Sequence, residues 1–165
     1  YLNLHFPVYN CSETALQQII QVAGRAGRQT SDSCVVVQQI SDHNIFMHTD
    51  EQRYLHYVSQ ELQNRKKASY PPYIRLAEVE LKNPCEEKIE QEANKITFSL
   101  LEFVRKKNID SKILGPSLPP LSKIKNTHIR KIYLKSKNLS DLIRAYQSIN
   151  QKLFSSRIFF TPNPL

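Results

Sequence analysis

The sequence contains no tryptophan, and only three glycines and three cysteines occur among its 165 residues. The cysteines, Cys11, Cys34 and Cys85, are odd in number and form no CxxC pair. They can therefore build neither a disulfide framework nor a zinc ribbon, and we expect a reducing, cytoplasmic setting. So few glycines also argue against a glycine-rich dinucleotide-binding loop.

Long apolar runs are missing as well. A membrane-spanning helix needs about 20 predominantly apolar residues, so we expect neither a membrane span nor a membrane partner. The first residues lack a basic stretch followed by an apolar core, so no signal peptide is predicted. The chain begins at Tyr1 rather than at methionine, and we treat it as part of a longer protein with one domain or two small ones in this segment.

Acidic residues become scarce toward the end of the chain. Overall, 23 Lys and Arg stand against 15 Asp and Glu, which gives a net charge of +8. Residues 1–70 carry six charges of each sign, whereas residues 104–165 carry 13 basic and only two acidic side chains. A local excess of this size is typical of a surface that binds a polyanion; the alternative is a solvated, lysine-rich surface.

Hydrophobic spacing divides the chain near residue 70. Residues 12–24 are predicted to form a helix, and residues 34–37 a short apolar strand that is buried on both faces, as in a parallel sheet. Residues 50–67 are predicted to form a second helix, which the prolines of segment 70–73 end. We therefore predict the tail of an α/β domain, followed by a domain boundary.

After this boundary, strands and helices alternate in a βαββαβ order. In the first strand, apolar residues alternate with Glu78 and Glu80; in the third, Ile132 and Leu134 alternate with lysines and a tyrosine. We predict an open ferredoxin-like sandwich of two helices on one sheet. Its predicted elements are strands 73–82, 110–115, 129–135 and 158–160 and helices 86–107 and 140–154.

Two arginines stand three positions apart in the sequence QVAGRAGR, which spans residues 21–28. Arg25 and Arg28 have glycine neighbours that remove side-chain bulk, and guanidinium groups suit fork-like contacts to phosphate. This pattern predicts a phosphate site. Its alternative is a glycine-punctuated helix end with surface arginines.

The pattern Q-x-x-G-R-x-G-R resembles the last conserved motif of superfamily 2 helicases. The succession of QVAGRAGR, Tyr-Pro-Pro-Tyr at 70–73 and Ile-Leu-Gly-Pro at 113–116 is similar to that of the primosomal replication-restart DNA helicases, the primosomal protein N-prime family. The resemblance spans nearly the whole chain. The chain departs from the family at residues 8–10, where Val-Tyr-Asn replaces Asp-Phe-Arg, and in lacking a tryptophan in strand 129–135.

The resemblance implies an ATP-dependent 3′ to 5′ DNA helicase that recognises stalled or branched replication forks and restarts replication by primosome assembly. Residues 1–48 would end its second RecA-like lobe, and residues 49–70 would form a connecting helix. Residues 71–165 would be a C-terminal DNA-binding domain with a fold similar to ribosomal protein S10. The expected fold class is thus α/β followed by α+β.

The resemblance also implies that Gln21, Gly24, Arg25 and Arg28 face ATP, which is bound with Mg²⁺ at a site completed by upstream lobes, with Arg28 as the catalytic arginine finger and Arg25 beside it on the phosphates. In such proteins the phosphate-binding loop, the acidic Mg²⁺ motif and a zinc-holding cysteine insert lie upstream. We therefore expect no metal ligands in this chain and no ATP hydrolysis by this polypeptide alone.

Basic residues surround the proline-rich loop of residues 117–126 and the strand that follows it. Lysines and arginines that neutralise phosphates, next to an aromatic ring that stacks on a base, are typical of fork or single-strand binding. The predicted partners are branched or single-stranded DNA and primosome and replication-restart proteins. The alternative is a stand-alone S10-like nucleic-acid-binding module without a motor. The predicted DNA-binding residues are Lys123, Lys125, Arg130, Lys131, Tyr133 and Lys135.

Overall fold

The computed structural model describes residues 9–26, 34–38 and 44–164, and the chain separates into two compact units. The first unit ends at Lys67, and the second is Ala68–Pro164. The roles assigned above to residues 1–48, 49–70 and 71–165 stay predictions. Among the described helices, none combines the length and the apolar character needed to cross a membrane.

The described part of the first unit contains two helices, α1 (Cys11–Ala26) and α2 (Glu51–Lys67), with a 3₁₀ turn at Asn44–Met47 between them. Both helices were predicted from the apolar spacing, and both are confirmed. Helix α1 continues two residues beyond Gly24, where the sequence pattern ends. A small apolar cluster of Ala15, Ile19 and Ile45 forms the core.

Arg65 near the end of α2 supplies the main charged contacts of this unit. Its Nη2 lies 2.7 Å from Oε2 of Glu13 in α1, and its Nε lies 2.9 Å from Oε1 of Glu61. Burial alone would lower the pKa of Arg65, but the hydrogen bonds to both carboxylates raise the pKa above its usual value. This guanidinium therefore stays charged and ties α2 to α1.

The strand predicted at residues 34–37 is wrong. Residues 34–38 have no regular structure, and Val35, Val36 and Val37 are 39%, 86% and 40% exposed. A strand is held by backbone hydrogen bonds to a neighbouring strand, and the described part of the first unit contains no strand to provide them. The α/β character predicted for this region is therefore not seen among the described residues.

The second unit is a small α+β domain with one antiparallel sheet, and it confirms the predicted βαββαβ order. The strand order is β2-β4-β1-β5, with the two-residue strand β3 also paired to β4. The elements are β1 (Arg75–Asn83), α3 (Glu86–Lys106), β2 (Ser111–Ser117), β3 (Lys123–Ile124), β4 (Thr127–Ser136), α4 (Leu139–Gln147) and β5 (Arg157–Pro162).

Helix α4 is shorter than the predicted range 140–154. It ends at Gln147, and a separate 3₁₀ turn follows at Gln151–Leu153. The Ser148 hydroxyl donates a hydrogen bond to the Ala145 carbonyl at 2.6 Å. Serine and asparagine side chains compete in this way for backbone groups, so Ser148 and Asn150 favour a helix end over its continuation.

The alternation predicted for β1 and β4 decides the two faces of the sheet. Apolar residues such as Val79 and Ile132 are fully buried on the face that α3 and α4 cover, where they join Ile89, Ile96 and Leu100. The opposite face carries charged and polar side chains. We call it the open face and define it by Glu78, Glu80, Lys131, Tyr133 and Lys135.

A hairpin between β3 and β4 was not predicted. Its two turn residues, Lys125 and Asn126, have φ angles of 44° and 58°. Left-handed residues in two-residue hairpins are usually glycine, asparagine or aspartate, and the sequence offers only one such residue here. The turn brings Lys125 to the tip of the hairpin.

Gly115 in β2 is required by its backbone conformation and by its surroundings. Its φ is +111°, and a Cβ at this position would lie 2.8 Å from the Lys131 carbonyl oxygen. The two constraints act together, because any larger residue would be strained in φ and would also push β2 away from β4.

We expect Gly115→Ala to lower the free energy of unfolding by about 1–3 kcal/mol, the usual range for a strained backbone position. Gly24→Ala is the matched control, because a Cβ at Gly24 meets nothing within 4 Å; we expect it to raise stability by about 0.5–1 kcal/mol, as alanine does in a helix. Urea denaturation followed by circular dichroism measures both values. Unchanged stability of Gly115→Ala would contradict the requirement for glycine.

Candidate nucleotide contact and nucleic-acid interface

The end of α1 carries three of the four residues predicted to face ATP. Gln21 is followed by Gly24 and Arg25 three and four positions later, so the three share one helix face, and all are exposed. A Cβ on Gly24 would meet nothing within 4 Å, which leaves room for a ligand next to the backbone. Arg28, the predicted arginine finger, lies outside the described residues.

A groove that the sequence did not predict runs beside Gln21. Its walls come from α1 and from the start of α2, two segments that are far apart in the sequence. Asp50 in this groove is already engaged, since its Oδ1 accepts the backbone N–H of Arg53 at 2.9 Å and caps α2. Gln17 is engaged as well, since its Nε2 donates a hydrogen bond to Oε1 of Glu13 at 3.2 Å. The lining residues are Gln17, Ile20, Gln21, Thr49, Asp50 and Tyr54.

In the second unit, the six residues predicted to bind DNA do not share one face. Residues directly opposite each other in an antiparallel ladder point to the same side of the sheet. Lys131, Tyr133 and Lys135 lie opposite Glu80, Glu78 and Leu76, on the open face. Arg130 and Lys123 have the opposite parity and lie on the helix-covered side. The predicted cluster is therefore divided by the sheet.

Lys131 is neutralised by the two glutamates of β1. Its Nζ lies 3.0 Å from Oε1 of Glu78 and 3.8 Å from Oε2 of Glu80. Glu80 is in turn paired with Lys82 at 2.6 Å. Two carboxylates and two ammonium groups thus balance one another on this part of the open face, which leaves little net charge to attract phosphate.

Tyr133 is half-buried beside the carboxylate of Glu78. Burial raises its pKa, and the charge of Glu78 and a hydrogen bond to that side chain raise it further, to about 12. The phenol is therefore neutral at physiological pH. Its ring lies between Lys131 and Lys135 on the open face, as predicted, but its hydroxyl is held by Glu78.

Arg130 forms ion pairs with α3 on the other side of the sheet. Its Nε lies 2.7 Å from Oε2 of Glu90 and its Nη2 lies 3.6 Å from Oε1 of Glu86. The side chain is buried, with 5% of the residue exposed. Its charge is neutralised by the carboxylates in the first turns of α3, so Arg130 links β4 to α3.

Lys135 is also buried, at 7% exposure, but it has no carboxylate partner among the described residues. Its Nζ lies 3.4 Å from the centroid of the Tyr70 ring and 3.4 Å from the Ala68 carbonyl oxygen. Burial lowers the pKa of Lys135, and the neighbouring charge of Lys112 lowers it further. Sequence spacing could not reveal this contact, because Tyr70 is far from Lys135 along the chain.

Lys123 and Lys125 on the β3–β4 hairpin are exposed, and within the described ranges neither forms an ion pair. Lys112 in β2 shares both properties, and the sequence analysis missed it. The whole stretch from residue 111 to 140 contains seven basic residues and no Asp or Glu. The strands β2 and β3 thus form an edge of the sheet with uncompensated positive charge, which we call the basic edge and define by Lys112, Lys123 and Lys125.

Metal-ligating groups are not gathered at either site. Among the described residues, no group of three or more His, Cys, Asp or Glu side chains is arranged to hold a metal ion. The second unit offers cationic and aromatic side chains to a ligand. The first unit offers the exposed face of α1 that carries Gln21, Gly24 and Arg25.

The second unit is therefore a small α+β domain whose sheet has one neutralised region and one basic edge. A family model described as the primosomal protein N C-terminal domain matches residues 66–164. The chain belongs to this family, which confirms the resemblance seen in the sequence.

Curated relatives that match this chain carry the name replication restart protein PriA. The protein of Bacillus subtilis is 33% identical over 140 residues, which is 84% of this chain and 17% of the relative. That of Rickettsia prowazekii is 37% identical over 117 residues, 68% of this chain and 17% of the relative. That of Synechocystis is 27% identical over 149 residues, 90% of this chain and 18% of the relative. The chain thus spans less than a fifth of the length of these relatives.

The ion pair of Lys131 with Glu78 predicts that Lys131 and Lys112, two lysines of the same sheet, contribute differently to the free energy of unfolding. Lys131→Met leaves the Glu78 carboxylate, which is only 8% exposed, without its ammonium partner. We expect a loss of about 1–3 kcal/mol in the free energy of unfolding. Lys112→Met, the control, removes an exposed charge that has no carboxylate partner and that faces Lys135 across the ladder, so it is expected not to lower the free energy of unfolding. Equal losses in thermal denaturation would contradict the neutralisation of Lys131 by Glu78.

Proposed function

We propose that this chain is the C-terminal part of an ATP-dependent 3′ to 5′ DNA helicase that recognises stalled or branched replication forks and restarts replication by primosome assembly. The proposal depends on the family match over residues 66–164 and on relatives whose name is replication restart protein. Its partners are branched or single-stranded DNA and other replication-restart proteins, in the cytoplasm.

The second unit is the DNA-binding part in this proposal, and the basic edge supports it. Phosphate binding requires cations whose charge is not already matched by carboxylates. Lys112, Lys123 and Lys125 fulfil this condition, and they project from an acid-free stretch of 30 residues, 111–140. Among the other predicted residues, Lys135 contributes charge without a carboxylate partner, whereas Lys131 and Arg130 contribute less because they are paired.

The first unit belongs, in the same proposal, to the end of the second helicase lobe. Three adjacent valines at 35–37 are exposed, with Val36 at 86%. A contiguous exposed apolar patch is typical of a surface that another polypeptide covers. This supports the packing of residues 34–38 against further parts of a longer protein.

The exposed face of α1 has the chemistry required for a nucleotide contact. Phosphoryl transfer places negative charge on the γ-phosphate oxygens, and a positioned arginine stabilises that charge. Arg25 would hold the phosphates, Arg28 would act as the finger, and Gln21 would orient water or couple the nucleotide to DNA. The open space above Gly24 would admit the phosphate chain. Upstream lobes would supply the phosphate loop, the Mg²⁺ ligands and the zinc insert.

In a full-length protein that carries this sequence, we expect Arg25→Ala and Arg28→Ala to lower DNA-stimulated ATP turnover by a factor of about 10³, the lower range for an arginine finger. Binding to DNA without nucleotide should change little. Arg53→Ala is the control, since Arg53 is an exposed arginine that pairs with Asp50 at 3.1 Å, and it should leave turnover intact. If both variants keep turnover within about threefold, a barrier change below ~1 kcal/mol, the nucleotide assignment is wrong.

The 165-residue chain is expected to bind single-stranded and forked DNA mainly through phosphates. With about four uncompensated lysines in contact, the logarithm of affinity should fall with the logarithm of salt concentration with a slope of about −3.5. Lys123→Glu with Lys125→Glu should flatten that slope by about two units, whereas Lys88→Glu with Lys95→Glu on α3 should not. Fluorescence anisotropy across a salt series measures the slope. The same loss for both pairs would show that net charge, and not the basic edge, drives binding.

A further inference from the structure

Lys112 and Lys135 face each other across the β2–β4 ladder. They are direct register partners, and side chains at such positions have Cβ atoms about 4.5–5.5 Å apart on one face of the sheet. Like charges directly opposite each other destabilise a sheet. Within the described part of the chain, no carboxylate pairs with either ammonium group, so the repulsion is uncompensated.

The Lys135 ammonium is held in place from one side. Its Nζ lies 3.4 Å from the centroid of the Tyr70 ring and donates a hydrogen bond to the Ala68 carbonyl oxygen at an N–O distance of 3.4 Å. A lysine ammonium has three N–H donors, so one carbonyl leaves donors unused. Lys112 beside it is exposed and is open to a ligand from solvent.

Two other lysines on the same face of the sheet, Lys131 and Lys82, do have carboxylate partners. Lys131 is bound by Glu78 and Glu80, and Lys82 is bound by Glu80 at 2.6 Å. The same face therefore contains lysines with carboxylate partners toward β1 and β5 and a lysine pair without them toward β2. An anion gains most where two cations are close and no carboxylate competes.

We propose that Lys112 and Lys135 form a phosphate-binding pair, in which Tyr70 and the Ala68 carbonyl fix Lys135 and Lys112 meets the ligand. A phosphate that hydrogen-bonds to the Lys112 ammonium also lies in the field of Lys135 and relieves the repulsion between the two. Because the Lys135 side chain is already ordered by Tyr70, less conformational freedom is lost on binding. Tyr70 is a positioning residue here and need not touch the ligand.

The shared chemistry of the ligand is a phosphate group with at least one negative charge. It can come from the backbone of a nucleic acid or from a free phosphate compound. The first source rests on the proposed function, since Lys112 also belongs to the basic edge. The second does not, so the two are tested with separate probes: a short oligothymidylate and inorganic pyrophosphate.

The first test measures affinity of the 165-residue chain for the oligothymidylate. Lys112→Gln should weaken binding about three- to tenfold and reduce the salt slope by about one unit, the value for one lost phosphate contact. Lys95→Gln, an exposed lysine on α3, is the matched control and should alter neither quantity. Tyr70→Phe, which keeps the ring, should bind as the parent does, whereas Tyr70→Leu should weaken binding about three- to tenfold without changing the salt slope, because Tyr70 itself neutralises no phosphate. Equal effects of Lys112→Gln and Lys95→Gln would overturn the pair as a site.

The second test follows the ε-methylene signals of isotope-labelled lysine during a pH titration. Bound phosphate should raise the pKa of Lys135 toward its usual value, because an anion stabilises the charged form, while the signals of Lys95 should not respond. A response of these signals to the oligothymidylate alone assigns the site to nucleic acid. A response to pyrophosphate supports the site even if the chain binds no DNA and the proposed function fails. Unchanged Lys112 and Lys135 signals with both probes overturn the proposal, even where the oligothymidylate binds elsewhere.

Discussion

The register between β1 and β4 is the constraint on which the second unit depends. It pairs Arg75 with Ser136 at one end and Asn83 with His128 at the other. Because side chains alternate along a strand, this register sends Val79 and Ile132 into the core and Glu78 to the open face. A slip by one residue would turn every side chain of the strand to the other face, placing charges under the helices. The core and the charge pattern therefore have the same origin.

The same pairing determines which basic residues are available to a ligand. Strand β1 carries two glutamates on the open face, and β4 places Lys131 within reach of both. On its other side, β4 meets β2, which has no acidic residue and brings Lys112 opposite Lys135. The excess positive charge is thus concentrated at one edge although basic residues occur throughout the unit. A net charge of +8 attracts polyanions in general, whereas the ion pairs show which of the basic residues keep an uncompensated charge.

Local pattern was sufficient for most of the fold. The alternation of β1 and β4 and the long apolar stripe of α3 are properties of consecutive residues, so the sequence alone predicts them. Features that depend on distant partners were missed: the β3–β4 hairpin with its turn at Lys125, the contact of Tyr70 with Lys135, and the neutralisation of Lys131. The strand predicted at 34–37 failed for the same reason, because apolar composition indicates a strand only if a neighbour is present to pair with it. For the sites, the sequence predicted which residue types take part. Which of them form ion pairs, and on which face of the sheet each lies, follows only from the register of the strands.

Lys135 connects the electrostatics of the sheet to the path of the backbone. Its ammonium holds Ala68 and Tyr70, the first residues after α2 ends at Lys67. The entry of the chain into the second unit is thus fixed by the same lysine that faces Lys112 across the ladder. A carboxylate partner would have stabilised Lys135 more strongly, but it would also have neutralised the edge, as Glu78 and Glu80 do for Lys131. An aromatic ring and a carbonyl instead fix the side chain while leaving its charge uncompensated, and the proposed phosphate site depends on that uncompensated charge.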